Sequence, residues 1–220
     1  MKILITSFTY TPNKDGVAEA TRSMAEGLAS IGHEVIVATA SHKDRKEGKQ
    51  NSVEVVSFQI GNQGIWKIPK GREADQFSRF ILSCNPDILI NHCWDAWPAV
   101  LSQKIFHDIS CKKIQVSHGF SQHIWTPYFK PFFGLGQLLK GLLWTLFMYP
   151  GVAKSYDAIV FLSGCGGFGR FFDQTICRWI KHPCLHVIPN SVQENKYTDR
   201  AGDFRIKYNV GDGLMVLCVA

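Results

Sequence analysis

The chain has 220 residues, 45% of them hydrophobic and 19% charged, with a formal net charge of +6. That length supports one sizeable hydrophobic core or two small ones, and that composition excludes a chain disordered throughout. The opening MKILITSF lacks a basic segment, a long apolar stretch and a small-residue cleavage site, so no secretory signal is read and a cytoplasmic location is expected.

Residues 2–6 form a short apolar run, and Pro12, Asn13 and Gly16 mark the loop after it. From Val17 onward the helical spacing continues through Thr21, Met24, Leu28 and Ile31, with Gly32 as a stop. Residues 35–38 are again β-branched and apolar, completing a βαβ unit whose strands should be parallel. Further strands are expected at 53–58, 87–90, 114–117, 158–162 and 185–188, and further helices at 72–82, 99–109, 135–149 and 171–180. Such alternation predicts an α/β fold, a doubly wound, Rossmann-like parallel sheet with both faces covered. One domain is expected over 1–190, a polar linker with a short helix over 191–213, and over 214–220 the first strand of a further, truncated domain.

Seven cysteines at irregular spacing, with no C-x-x-C pair, argue against a disulfide framework and against a zinc ribbon. The densest group of soft ligands, Cys177, His182, Cys184 and His186, matches no familiar zinc spacing and is interrupted by Pro183, so no metal site is expected. The basic run Lys43, Arg45, Lys46 and Lys49 reads as solvated loop charge. Excess positive charge suits anionic partners such as nucleotide diphosphates or a phospholipid surface; nucleic acid is not among the expected partners.

Parallel sheets bind ligands beyond the carboxyl ends of their strands. The segments there are TYTPNKDG, NHCWDAW, HGFSQHIW, SGCGGFG and PNS. Gly164, Gly166 and Gly169 complete a formal G-x-G-x-x-G between a strand and a helix, which keeps open an NAD-dependent oxidoreductase. Against it, no acidic residue follows the next strand, and the glycines come late in the chain. A non-catalytic sugar-binding domain is a third alternative.

The segment from MKILITSFTYTPNKDG through IGHEVIVAT, the strand ending in His118-Gly119, the strand DAIVFLS and the turn HVIPNSV resemble, in that order, the N-terminal half of family 4 glycosyltransferases. The resemblance implies a GT-B fold and a retaining enzyme that moves a sugar from a nucleotide-sugar donor to a glycan or glycolipid acceptor. It also implies a hexosyltransferase of polysaccharide or lipopolysaccharide biosynthesis, with no metal or other cofactor, the nucleotide sugar being a substrate. This chain would be the acceptor-side half, inactive alone.

By the same resemblance His118 would lie against the transferred sugar as the catalytic residue. Gly16, Gly119 and Asn190 would stand on the donor side, Gly16 with the amides of the following helix approaching phosphate. The family commonly has a glycine pair where this chain has Asp15-Gly16. Tyr10, Asn13, Lys14, Glu19, His92, Trp94 and Asp95 would shape the acceptor site, the tryptophan beside a carboxylate making either a sugar platform or a packing residue against the neighbouring helices, and Asn13 and Lys14 reading equally as turn residues. Independently of the resemblance, residues 135–149 carry a stripe of Leu135, Leu138, Leu139, Leu142, Leu143, Leu146 and Phe147, with Trp144 and Met148 opposite. Such a helix is too broken by glycine and lysine to span a bilayer. It reads either as a core helix or, over 131–150, as a peripheral contact with the inner membrane face.

Overall fold

The structure is a computed structural model, and it describes residues 1–45, 48–61, 68–120, 133–164 and 172–190. Residues Met1–Asn190 form one compact unit. The expected linker and the strand over 214–220 lie outside the described residues.

Among the described residues the strands are β1 (Lys2–Thr6), β2 (Glu34–Ala40), β3 (Gly48–Gln50), β4 (Val53–Phe58), β5 (Ile88–His92), β6 (Lys112–Ser117), β7 (Ala158–Phe161) and β8 (Leu185–Val187). They form one sheet in the order β3-β4-β2-β1-β5-β6-β7-β8. All pairs are parallel except β3 with β4. The expected all-parallel sheet is therefore mixed, and the reason is local. Asn51 and Ser52 both take positive φ, 47° and 67°, the geometry of a two-residue hairpin turn, and fold Lys49 and Gln50 back on the edge. Neither residue is the glycine that usually announces such a turn.

The helices are α1 (Gly16–Ser30), α2 (Arg72–Cys84), α3 (Trp97–Lys104), α4 (Phe133–Leu143), α5 (Tyr149–Lys154) and α6 (Phe172–Trp179), with a π-helical turn at Trp144–Met148 joining α4 to α5. Helix α1 starts because the Asp15 carboxylate accepts the amides of Val17 and Ala18. It stops where Gly32 takes φ 91° and returns its amide to the Ala29 carbonyl.

Two apolar clusters fill the two faces. Ile3, Ile5, Val35, Val37, Ile90 and Val116 pack with Ala25 of α1. Leu4, Ile36, Leu89 and Ile159 pack on the other face with residues of α2, α3, α5 and α6. Strand residues alternate between the clusters, as the pleat requires. The chain winds outward from β1 through β2 and β4, then returns to β5 beside β1 and winds the other way. The switch point is therefore between β1 and β5, and a crevice opens beyond their carboxyl ends.

The leucine stripe is oriented against the core-helix expectation. Leu139, Leu142, Leu143 and Leu146 are exposed, as are Phe147 (74%) and Met148 (61%). Trp144, expected on the outer side, is half-buried, its ring 5.7 Å from Phe120 and 5.6 Å from Tyr149. No helix among the described residues is long and apolar enough to cross a membrane.

Candidate active site

At the switch point, polar side chains replace apolar ones at the strand ends. Thr6 ends β1 and donates its hydroxyl to Asn91 Oδ1 at 2.6 Å, tying β1 to β5. The Asn91 amide donates to the Tyr156 hydroxyl at 3.0 Å, which Gln103 also reaches at 3.1 Å. Every partner is buried or half-buried, so this network braces the floor of the crevice.

His92 ends β5 and His118 follows β6. Each stands two residues beyond a member of the α1-side cluster, Ile90 and Val116, so both rings lie on that face. His92 Nδ1 and His118 Nε2 are 3.0 Å apart. His92 is fully buried and its Nε2 has no hydrogen-bond partner among the described residues. Burial, helped by the neighbouring His118, pushes its pKa down to about 3, so the ring is neutral at physiological pH. His118 is half-buried. The turn after it is sharp: Gly119 takes φ 80°, a conformation in which a Cβ is strained, and gives its amide to Ser117 Oγ at 3.0 Å.

Trp94 does not join the histidines. Cys93 takes φ 64°, which breaks the alternation between residues 92 and 94 and sends the indole to the opposite face. There Trp94 is buried edge-on against Tyr149, centroids 4.8 Å apart, and its Nε1 donates to Ser117 Oγ at 2.8 Å and to Asp173 Oδ2 at 3.0 Å. The Ser117 hydroxyl donates to the same Asp173 oxygen. The expected sugar platform is thus a core residue, and Asp95 beside it is half-buried at the turn before α3.

In the loop after β1, Tyr10 is buried, and burial raises its phenol to about 12. Arg45 clamps this loop from beneath. Its guanidinium donates to the carbonyls of Thr11 at 2.8 Å and Tyr10 at 3.0 Å, to the carbonyl of Ala40, and to Ser57 Oγ at 3.3 Å. The solvated charge expected at Arg45 is therefore a buried one, 9% exposed, with burial pulling its pKa down. Asn13 is half-buried and Lys14 exposed, while the Glu19 carboxylate takes two hydrogen bonds from Arg22 at 2.6 and 3.1 Å. The amides of Val17 and Ala18, expected to receive phosphate beside Gly16, are held by Asp15, which Thr9 also contacts at 2.9 Å. Gly16 has open space where a Cβ would stand, so no steric demand fixes glycine there.

Asn190 is exposed beyond β8 at the sheet edge, away from the switch point. Gly166 and Gly169 lie outside the described residues; Gly164 follows β7, two strands beyond β5, whereas a dinucleotide turn belongs at the switch point. Of the soft-ligand group, Cys184 Sγ and His186 Nε2 approach to 3.2 Å, but Cys177 bonds Tyr149 and His182 bonds the Tyr156 carbonyl. Among the described residues no group of three or more could hold a metal ion.

Arg45, Ser117 and Asp173 were not expected to matter. Asp173 reads in sequence as an ordinary acidic residue in the first turn of a helix, and only its burial marks it out.

The family model for Glycosyltransferase Family 4 matches residues 14–196. No curated protein matches the chain. Among solved structures, sucrose-phosphate synthase from Thermosynechococcus elongatus is 14% identical with a TM-score of 0.61, over 95% of this chain and 52% of that one. The catalytic domain of Starch Synthase IV from Arabidopsis thaliana, bound to ADP and acarbose, is 13% identical with a TM-score of 0.57, over 89% of this chain and 52% of that one. A glycosyltransferase from Rickettsia africae ESF-5 is 16% identical with a TM-score of 0.56, over 96% of this chain and 50% of that one. The chain therefore spans about half the length of the solved structures it matches, and shares with them the Rossmann-like half of a GT-B fold.

Proposed function

This chain belongs to Glycosyltransferase Family 4, and on that premise we propose that it is the acceptor-side half of an enzyme moving a sugar from a nucleotide-sugar donor to a glycan or glycolipid acceptor, with retention of configuration. The observation that carries the reading is His118. It stands at the carboxyl end of β6, next to the switch-point strand, on a glycine turn and braced by a buried histidine. A ring so held can hydrogen-bond a sugar hydroxyl without reorganising as charge develops at the anomeric carbon.

Within this reading Gly119 lets the chain turn away beneath the sugar, and Gly16 and Asn190 remain donor-side candidates. Asn13, Lys14 and Asp95 are the accessible or half-exposed acceptor candidates. Tyr10, His92 and Trp94 act from behind, shaping the loops that the acceptor meets. Binding of ADP by the starch synthase neighbour is in keeping with a nucleotide donor.

The test is His118→Ala in the full-length enzyme. Loss of a prepositioned hydrogen-bond donor is expected to lower turnover on the order of 10²-fold. The half-buried ring should contribute little to stability, so the melting temperature should hold. Equal losses of activity and melting temperature would instead identify a packing residue.

We further propose that the exposed stripe over α4 and the π-helical turn rests on an anionic lipid surface, the contact through which a lipid-linked acceptor is reached. Its support is apolar side chains facing solvent on a chain of net charge +6. Flotation with anionic liposomes is expected for the wild type and several-fold less for Leu142→Ser with Phe147→Ser. Equal flotation of the two, or none by either, removes the membrane from the reading.

A further inference from the structure

We infer that Ser117 and Asp173 form a positioning pair that holds the His118–Gly119 turn from the opposite side of the sheet, so that removing either lowers turnover through His118. The inference rests on the reading that His118 faces the transferred sugar. It concerns the backbone that carries the ring, whatever the ring itself bonds.

The hydrogen-bond count at Ser117 fixes the direction of the pair. A hydroxyl has one hydrogen to give and two lone pairs with which to receive. Ser117 Oγ receives the Gly119 amide at 3.0 Å and the Trp94 indole N–H at 2.8 Å, which uses both lone pairs. Its one hydrogen therefore goes to Asp173 Oδ2. Trp94, Ser117 and Asp173 are all buried, so bulk water does not compete for that hydrogen. A carboxylate suits the place because it accepts and has nothing to donate, and the Ser117 hydroxyl and the Trp94 N–H that reach it are both donors. With its hydrogen held, the Ser117 side chain stays in the rotamer that presents a lone pair to Gly119.

The turn needs such a restraint. Gly119 takes φ 80°, and glycine samples both signs of φ about equally, so the residue that permits the turn does nothing to keep it. The bond from its amide to Ser117 Oγ closes the turn over His118. On the other flank Phe120 is buried, its ring edge-on to Tyr149 at 5.0 Å and to Trp144 at 5.7 Å. Ser117 alternates with Val116 and so stands on the face where Phe120 packs, across the sheet from His118. His118 is thus carried between two residues anchored on the face opposite its own, and these anchors take no room from a ligand beside the ring.

The experiment is a kinetic double-mutant cycle in the full-length enzyme. A group misplaced by about 1 Å costs on the order of 10²-fold, and a turn that keeps the right shape for part of the time should cost less, so Ser117→Ala is expected to lower kcat about tenfold. KM should hold, because the interaction weakened is one with the transition state. Asp173→Leu should behave likewise, whereas Asp173→Asn, which keeps an acceptor for the Ser117 hydrogen, should stay within about threefold of the wild type. In a His118→Ala background Ser117→Ala should cost nothing further, since no ring is left to place. Unchanged kcat in Ser117→Ala, or the same loss with and without His118, overturns the inference. Both outcomes are read on Ser117→Ala, so they decide it even where Asp173→Leu does not fold. Hydrogen exchange at Gly119 in the 220-residue chain reads the bracing without activity: it should accelerate in Ser117→Ala beyond the global change, and unaltered exchange also overturns the inference. Full activity of His118→Ala would defeat the sugar-facing reading while the exchange result stood. An impaired His118→Ala beside an unimpaired Ser117→Ala would defeat the positioning pair and leave that reading in place.

Discussion

Replacing Asp173 with leucine is expected to destabilise the chain by about 1–3 kcal/mol: of the two buried donors to its carboxylate one loses its acceptor outright, which costs roughly 1–3 kcal/mol, while the other keeps a second acceptor in Ser117 Oγ. The donors are the Ser117 hydroxyl and the Trp94 indole, and through Ser117 the carboxylate also braces the amide of Gly119. One side chain near the start of α6 thereby joins the loop after β5 to the turn after β6. Urea denaturation measures the loss; a change within experimental error would mean that relief from burying the carboxylate cancels it. Asparagine keeps the shape and one acceptor, so Asp173→Asn should lose less. It also separates the charge from the geometry. Burial raises the Asp173 carboxyl above its ordinary value of 3.8, against the hydrogen bonds from Ser117, Trp94 and the backbone that lower it. A carboxyl raised on folding contributes most below its unfolded value and less as pH climbs through its folded one. The wild type should therefore lose stability relative to Asp173→Asn as pH rises from about 4, and a flat difference across the acidic range would show that the hydrogen bonds offset the burial in full.

Arg45→Met should cost about 2–4 kcal/mol, a sum of the bonds a charged group makes, worth roughly 1.5–3 kcal/mol each, reduced by the gain from no longer burying a cation. It should also loosen the segment after β1. The guanidinium satisfies three carbonyls that face inward, and methionine fills the space without a single donor. Hydrogen exchange at Asn13, whose amide bonds the Tyr10 carbonyl, should accelerate well beyond the global change. Arg45→Lys is not expected to rescue it, because one ammonium cannot reach carbonyls spread across a planar fork. Uniform acceleration over the whole chain would show that Arg45 supports the fold and not the loop.

The fold was legible because its signals are additive along the chain. β-branched runs alternate with amphipathic helices, and a doubly wound sheet is the architecture that covers such strands on both faces. What escaped was the hairpin at β3, where Asn51 and Ser52 turn the chain without a glycine, and the sidedness of the helix carrying Trp144, which depends on packing with Phe120 and Tyr149. In the site, proximity in sequence misled. His92 and Trp94 read as one acceptor-facing group, yet a single left-handed residue between them puts them on opposite faces. Arg45 read as solvent charge because its neighbours are lysines, and no local pattern announces three carbonyls 5 to 35 positions away.

Asp15 has one more consequence. By occupying the first amides of α1 it acts as a tethered competitor for any incoming anion, present at the high effective concentration of a covalently attached group. A free phosphate would have to evict a ligand that never diffuses away. An anion binding at this end of the crevice would therefore have to belong to a molecule gripped elsewhere as well, large enough to offset through several contacts the cost of displacing that carboxylate.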